Sequence, residues 1–228
     1  MTTGNAITIA VDFVVLDLNG FKIGGGSAGL GTQANGVRAT NRKNITVKNG
    51  NIRGFYRAVF LEDTSGTFTV SQGHLVEDVR ADQNTFEAIR VEGRGNVVRN
   101  NQVVDTTGTT VGVNPDVAGL KVVGPGSRIL NNDVTETVAV GAGNAFGIEA
   151  SSAQGAVIEN NRVGNSAVLA STTGISIMAS DDVMVAFSRL ARLGAGIVFS
   201  ASTGKYTENL TSGVTVPYTG GTDAGNNN

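Results

Sequence analysis

Cysteine and tryptophan are both missing from this chain, histidine occurs once, and tyrosine occurs only at Tyr56, Tyr206 and Tyr218. The lack of cysteine excludes disulfides and thiolate metal sites but leaves the redox compartment open, because many exported bacterial proteins also lack it. The scarcity of large aromatic side chains disfavours a sugar-binding module built on aromatic platforms. A net charge of -2, a pI near 5.4 and no basic block argue against a nucleic-acid partner held by phosphate neutralisation. Residues 6–18, the first apolar stretch, contain Asp12 and Asp17 and lack a basic leader, so they read neither as a membrane span nor as a signal peptide.

What the chain has is repetition. V-V-R-N-N-Q-V (97–103), R-I-L-N-N-D-V (128–134) and V-I-E-N-N-R-V (157–163) are variants of one phrase. A second series pairs a small residue with a β-branched residue or leucine: Gly36-Val37, Ala58-Val59, Ala88-Ile89, Gly119-Leu120, Gly147-Ile148, Gly174-Ile175 and Gly196-Ile197. Its apolar members are 22, 30, 31, 28, 27 and 22 residues apart, a minimum repeat of 22 with insertions. Such a period marks a solenoid, whose units bury their apolar faces only by stacking.

Each unit reads as a short alternating strand such as A-I-R-V-E (88–92), a glycine-rich turn, a second strand, a bend at asparagine and a third apolar pair. No 3.6-residue period survives the glycines, so a helical repeat is excluded. The expectation is an all-β, single-domain parallel β-coil over residues 1–228, with about eight coils and three parallel sheets, and a loosely ordered tail at 219–228. Asn100, Asn131 and Asn160 are expected at the bend, because asparagine tolerates left-handed backbone angles and its amide can bond to its equivalent one coil away. Phe187 and Ser188 replace the pair in the next coil and are expected to plug the row where it ends.

D-L-N-G-F-K-I (17–23), N-I-T-V-K-N-G-N-I-R-G-F (44–55) and the repeated G-I-x-V and V-I-x-N-N-x-V coils resemble the right-handed parallel β-helix repeat proteins of the pectin-lyase-like superfamily. The resemblance extends over about residues 6–213. It implies the fold, and an extracellular or cell-surface location, but not one chemistry, because the superfamily spans lyases, hydrolases, epimerases, phage tailspikes and non-catalytic surface proteins. Members usually begin with a capping helix. This chain opens directly on a strand, which implies an uncovered edge, and with it either a fragment or self-association through the N-terminal coil.

In the enzymes of that superfamily the polymer lies along the outside of the first-strand sheet. Period two places Arg38, Phe60, Arg90, Lys121, Glu149, Ser176 and Val198 in one outward column, and Thr40, Glu62, Glu92, Val123, Ser151, Met178 and Ser200 in the next. Arg38, Arg90 and Lys121 would form a cationic stripe for an acidic polysaccharide, with Phe60 as a stacking ring. Glu62, Glu92 and Glu149 either share that substrate-binding face or simply pair with the cations as a solvated charge ladder.

No catalytic residue is assigned. Lys121 and Arg90 match a lyase in kind, but no cluster of three acids adjoins them. The polygalacturonase and alginate-epimerase motifs are absent, and His74 reads as a strand-edge residue rather than a base. No cofactor is expected, with Asp181-Asp182 a weak Ca²⁺ candidate. The insertions at 62–73, 106–117, 137–144 and 165–172 read as surface loops able at most to wall a groove. The first reading is therefore a non-catalytic scaffold or acidic-polysaccharide-binding domain. The alternatives are a polysaccharide lyase or related uronate-modifying enzyme, and a phage fibre or adhesin module.

Overall fold

In the computed structural model, which describes every residue except Ser27, the chain winds into a right-handed parallel β-helix. Among the described residues one sheet contains nine strands, Asn5–Ile9, Asn35–Thr40, Arg57–Glu62, Glu87–Glu92, Val117–Val123, Ala145–Ser151, Thr172–Met178, Ala195–Ser200 and Val216–Thr219, each hydrogen-bonded to its equivalent one coil away. The second sheet has fifteen strands among the described residues and folds into two faces along a bend. Strands Thr46–Arg53 and Leu75–Asp82 run through that bend unbroken, which joins the second and third sheets expected from sequence into one.

The apolar series sets the register of the nine-stranded sheet. Val37, Val59, Ile89, Leu120, Ile148, Ile175 and Ile197 are in direct register and at most 1% exposed, and Ile7 and Tyr218 extend the column by one strand at either end. Burying one such aliphatic side chain contributes about 1.5–3 kcal/mol, so these interior columns are the main source of stability. The small residue before each has a packing reason. A Cβ on Gly147 would stand 2.2 Å from Val163 Cγ1 and 2.8 Å from the carbonyl oxygen of Gly174, where the third face closes on the first.

At the bend, Asn49, Asp78, Asn100, Asn131, Asn160, Phe187 and Glu208 all have φ between 53° and 57°. Asparagine thus takes the expected left-handed angle at 100, 131 and 160, and Asn160 Nδ2 donates to Asn131 Oδ1 at 2.8 Å, though on the exposed side of the bend. The buried amide row belongs to the next residue. Asn101 Nδ2 donates to Asn132 Oδ1 at 3.0 Å, and Asn132 Nδ2 donates to Asn161 Oδ1 at 3.0 Å. Each also donates to an interior carbonyl, Val76 for Asn101, Val98 for Asn132 and Ile129 for Asn161. The row does not end at Phe187 and Ser188. The Ser188 hydroxyl sits in it, Ser188 N–H donates to Asn209 Oδ1 at 3.0 Å, and Asn209 Nδ2 donates to Asn227 Oδ1 at 3.1 Å. Phe187 points outward and plugs nothing.

The C-terminal end differs from expectation. Segment 219–228 lies against the preceding coil: Thr222–Asp223 pairs with Gly204–Thr207, and Thr211 N–H donates to the Asn228 carbonyl at 3.0 Å. On the first coil, Val11, Phe13, Val15 and Phe21 are exposed. No helix among the described residues is long and apolar enough to cross a membrane.

Candidate functional site

The outer face of the nine-stranded sheet presents the column read from sequence. Arg38, Phe60, Arg90, Lys121, Glu149, Ser176 and Val198 are consecutive register partners, and Thr40 with Glu62 and Glu92 with Val123 pair beside them. A third column accompanies these two, containing Asn35, Arg57, Glu87, Ala118 and Phe146. Strict alternation hides it. Ala58 and Ala88 turn inward at a corner where the pairing skips a residue, so Arg57 and Glu87 face outward although they stand two positions before a buried residue. The available signal was their spacing of 30 residues, the spacing of Phe60 and Arg90, combined with opposite charge.

Glu87 is the centre of the site. Its carboxylate accepts from Arg57 Nε at 2.6 Å and from Arg90 Nη1 at 2.7 and 3.0 Å, and Lys121 Nζ lies 3.5 Å away. Burial works against its charge, but Arg57, Arg90 and Lys121 outweigh that penalty and hold its carboxyl below the usual carboxylate range. Arg90 Nε also donates to Glu92 Oε1 at 2.7 Å, and Lys121 Nζ lies 2.9 Å from Glu149 Oε1. Further along the face, Arg38 Nη2 donates to Glu62 Oε2 at 2.6 Å.

The expected stripe of Arg38, Arg90 and Lys121 is thus fully paired: together with Arg57 it stands among Glu62, Glu87, Glu92 and Glu149, four charges of each sign. Three of those glutamates are buried, which departs from the solvated ladder expected on one reading. Glu92 also accepts from the Asp63 N–H at 2.9 Å, tying the 62–73 insertion to the sheet.

Phe60 does not serve as a free stacking ring. It is 7% exposed, and the guanidinium carbons of Arg57, Arg38 and Arg90 lie 4.4, 5.4 and 5.5 Å from its centroid. Arg57 is enclosed on its other side by Tyr56 and Phe86, whose rings stack at 4.6 Å. These contacts fix Arg57, which in turn orients Glu87.

Beside the network lies a cleft of about 380 Å³ lined by Phe86, Glu87, Arg90, Lys121, Phe146 and Glu149, with Pro115 and Asp116 of the 106–117 insertion as its wall. Asp116 Oδ1 accepts from the Asn144 N–H at 2.7 Å and from Asn144 Nδ2 at 3.1 Å, joining two insertions at the rim. Sequence reasoning missed Asp116, because a wall made by a loop from another coil leaves no periodic trace, and missed Phe86 and Phe146, because they stand in and beside the column hidden by the shifted alternation.

His74 lies outside this site, directly ahead of strand Leu75–Asp82 as expected, and is buried. Its Nδ1 accepts from the Ile45 N–H at 3.2 Å, so Nε2 carries the proton toward Ser71 Oγ at 2.6 Å. Burial lowers its pKa to about 4 despite the opposing charges of Asp12 and Asp63. Asp181 Oδ1 accepts from Thr203 Oγ1 at 3.0 Å, and no group of three acidic or histidine side chains gathers around the Asp181-Asp182 pair among the described residues.

No family model matches the sequence, and no curated relative does. The fold is similar to the full-length tailspike protein 2 from Escherichia coli O157:H7 bacteriophage CAB120, with a TM-score of 0.66 and 18% identity over 99% of this chain and 32% of that one. It is also similar to the enzymatically active domain of bacteriophage CBA120 tailspike protein 2, with a TM-score of 0.64 and 19% identity over 99% of this chain and 36% of that one. The chain therefore spans about a third of the length of either tailspike chain. At this identity the likeness establishes the fold.

Proposed function

We propose that the chain is a polysaccharide-binding β-helix of spike or fibre type, acting outside the cell, and that the outer face of its nine-stranded sheet holds the polymer without cleaving it. The observation that carries this reading is the cleft beside Glu87, where ionised donors and acceptors stand fixed between two phenylalanines. Such an arrangement suits sugar hydroxyls, which both donate and accept, with Phe146 half-buried at the edge as an apolar contact. The likeness to a bacteriophage tailspike supports the spike or fibre type.

The pairing of every cation with a glutamate favours a neutral polymer over the acidic one suggested by the stripe. A uronate would have to displace a buried glutamate from its partner. The chemistry points away from cleavage. Hydrolysis needs a carboxylic acid that keeps its proton, and Glu87, held below the usual carboxylate range by its cations, is not that acid. Arg90 and Lys121, the residues of the lyase reading, are both engaged by glutamates.

Affinity electrophoresis against immobilised neutral and uronate polysaccharides tests the proposal. The expected result is retardation by a neutral polymer that falls at least about tenfold in Phe146→Ala and Asp116→Ala, with no new reducing or unsaturated ends. Retardation confined to uronates, or release of either kind of end, would overturn it.

A further inference from the structure

Phe187 stands in the bend column, on a different face from the proposed polysaccharide cleft, and it breaks that column's rule. Asn49, Asp78, Asn100, Asn131, Asn160 and Glu208 share its left-handed backbone, and all have polar side chains. A left-handed angle is tolerable for asparagine and is an outlier for a bulky residue. The Phe187 ring gains no burial in return, being 51% exposed. Positive φ alone would not single it out, because Phe13 and Phe68 share it. Phe187 in addition borders a cleft of about 430 Å³ whose other walls are Asn131, Glu159, Asn160, Arg189, Glu208 and Leu210.

These walls are suited to hydrogen bonding. Asn160 Nδ2 donates to Asn131 Oδ1 at 2.8 Å, fixing the amide planes beside the ring. Arg189 enters no ion pair among the described residues. With Glu159 and Glu208 opposite one arginine, the cleft carries a net negative charge and repels a uronate.

We propose that Phe187 is the platform of a second saccharide site, which takes the apolar face of a neutral pyranose ring on Phe187 and its hydroxyls on Asn160, Glu159, Arg189 and Glu208. An exposed ring flanked by polar groups combines apolar contact area with hydrogen bonding, which is what a pyranose requires. The site does not depend on the cleft beside Glu87, so either can fail without the other.

Saturation-transfer NMR with gluco-, galacto- and mannotrioses tests the assignment. Transfer to the ring C–H protons of at least one trisaccharide is expected in the unmodified protein and in Phe187→Trp. In a Phe146→Ala background, which weakens the cleft beside Glu87, Phe187→Asn restores the residue preferred at the bend and is expected to weaken transfer at least about tenfold while raising Tm by about 2 to 4 °C. Phe146→Ala is expected to leave the Phe187-dependent signal intact. The absence of transfer to all three sugars, or transfer in the Phe146→Ala background that survives Phe187→Asn, would overturn the proposal.

Discussion

Arg57 Nε donates to Glu87 Oε2 at 2.6 Å, and the two side chains retain only 14% and 3% of their exposure. Glu87 is shared by three cations, so its removal leaves an excess of buried positive charge rather than one missing contact.

Glu87→Gln is therefore expected to destabilise the fold by about 3 to 5 kcal/mol in urea denaturation. Glu77→Gln removes a more open pair with Arg99, whose side chain is 45% exposed, and is expected to cost at most about 1 kcal/mol. The pH dependence has a definite sign. The folded carboxyl of Glu87 lies below its ordinary 4.5, so its contribution is present above pH 4.5 and is lost as pH falls through the lower folded value. Equal costs for the two variants would show that Glu87 is not the centre of the network.

A second acid-sensitive element is His74, neutral in the folded chain with a pKa of about 4 against an ordinary 6.5. Below pH 6.5 the unfolded chain takes up a proton that the folded chain refuses. Stability is therefore complete above pH 6.5 and is lost progressively down to about pH 4, by on the order of 3 kcal/mol. His74→Asn is expected to flatten the stability curve between those limits. An asparagine there can still accept from the Ile45 N–H, as Asn96 Oδ1 accepts from the His74 N–H one coil later. A curve unchanged by the substitution would exclude His74 as its source.

Neighbouring asparagines are expected to differ sharply in their tolerance of substitution. Asn132→Ala leaves the Val98 carbonyl and the Asn101 N–H without their partner inside the coil, at a cost of about 2 to 4 kcal/mol. Asn131→Gly keeps the left-handed backbone and loses only an exposed bond to Asn160, so its Tm is expected to stay within about 2 °C. Thermal denaturation of the two variants side by side checks the difference.

The legible part of the site was the part that obeyed the coil period. Val59, Ile89 and Leu120 face inward in register, so the residue after each could be placed outside without knowing the structure. Arg57 and Glu87 were hidden because the corner at Ala58 and Ala88 shifts the alternation. The same kind of one-residue offset separates the expected row at Asn100, Asn131 and Asn160 from the buried one at Asn101, Asn132 and Asn161. A bend residue with positive φ turns its own side chain out and its successor's in.

The amino-acid sequence by itself determined the coil, its stacking axis and the outer column from Arg38 to Val198, because each depends on a periodic pattern that survives insertions. Only the tertiary structure decided what that column does. Neutralisation of the stripe, covering of Phe60 by three arginines and exposure of Phe187 all depend on distances between side chains one coil apart. Those distances are set by corner geometry and loop packing, to which hydrophobic periodicity is blind.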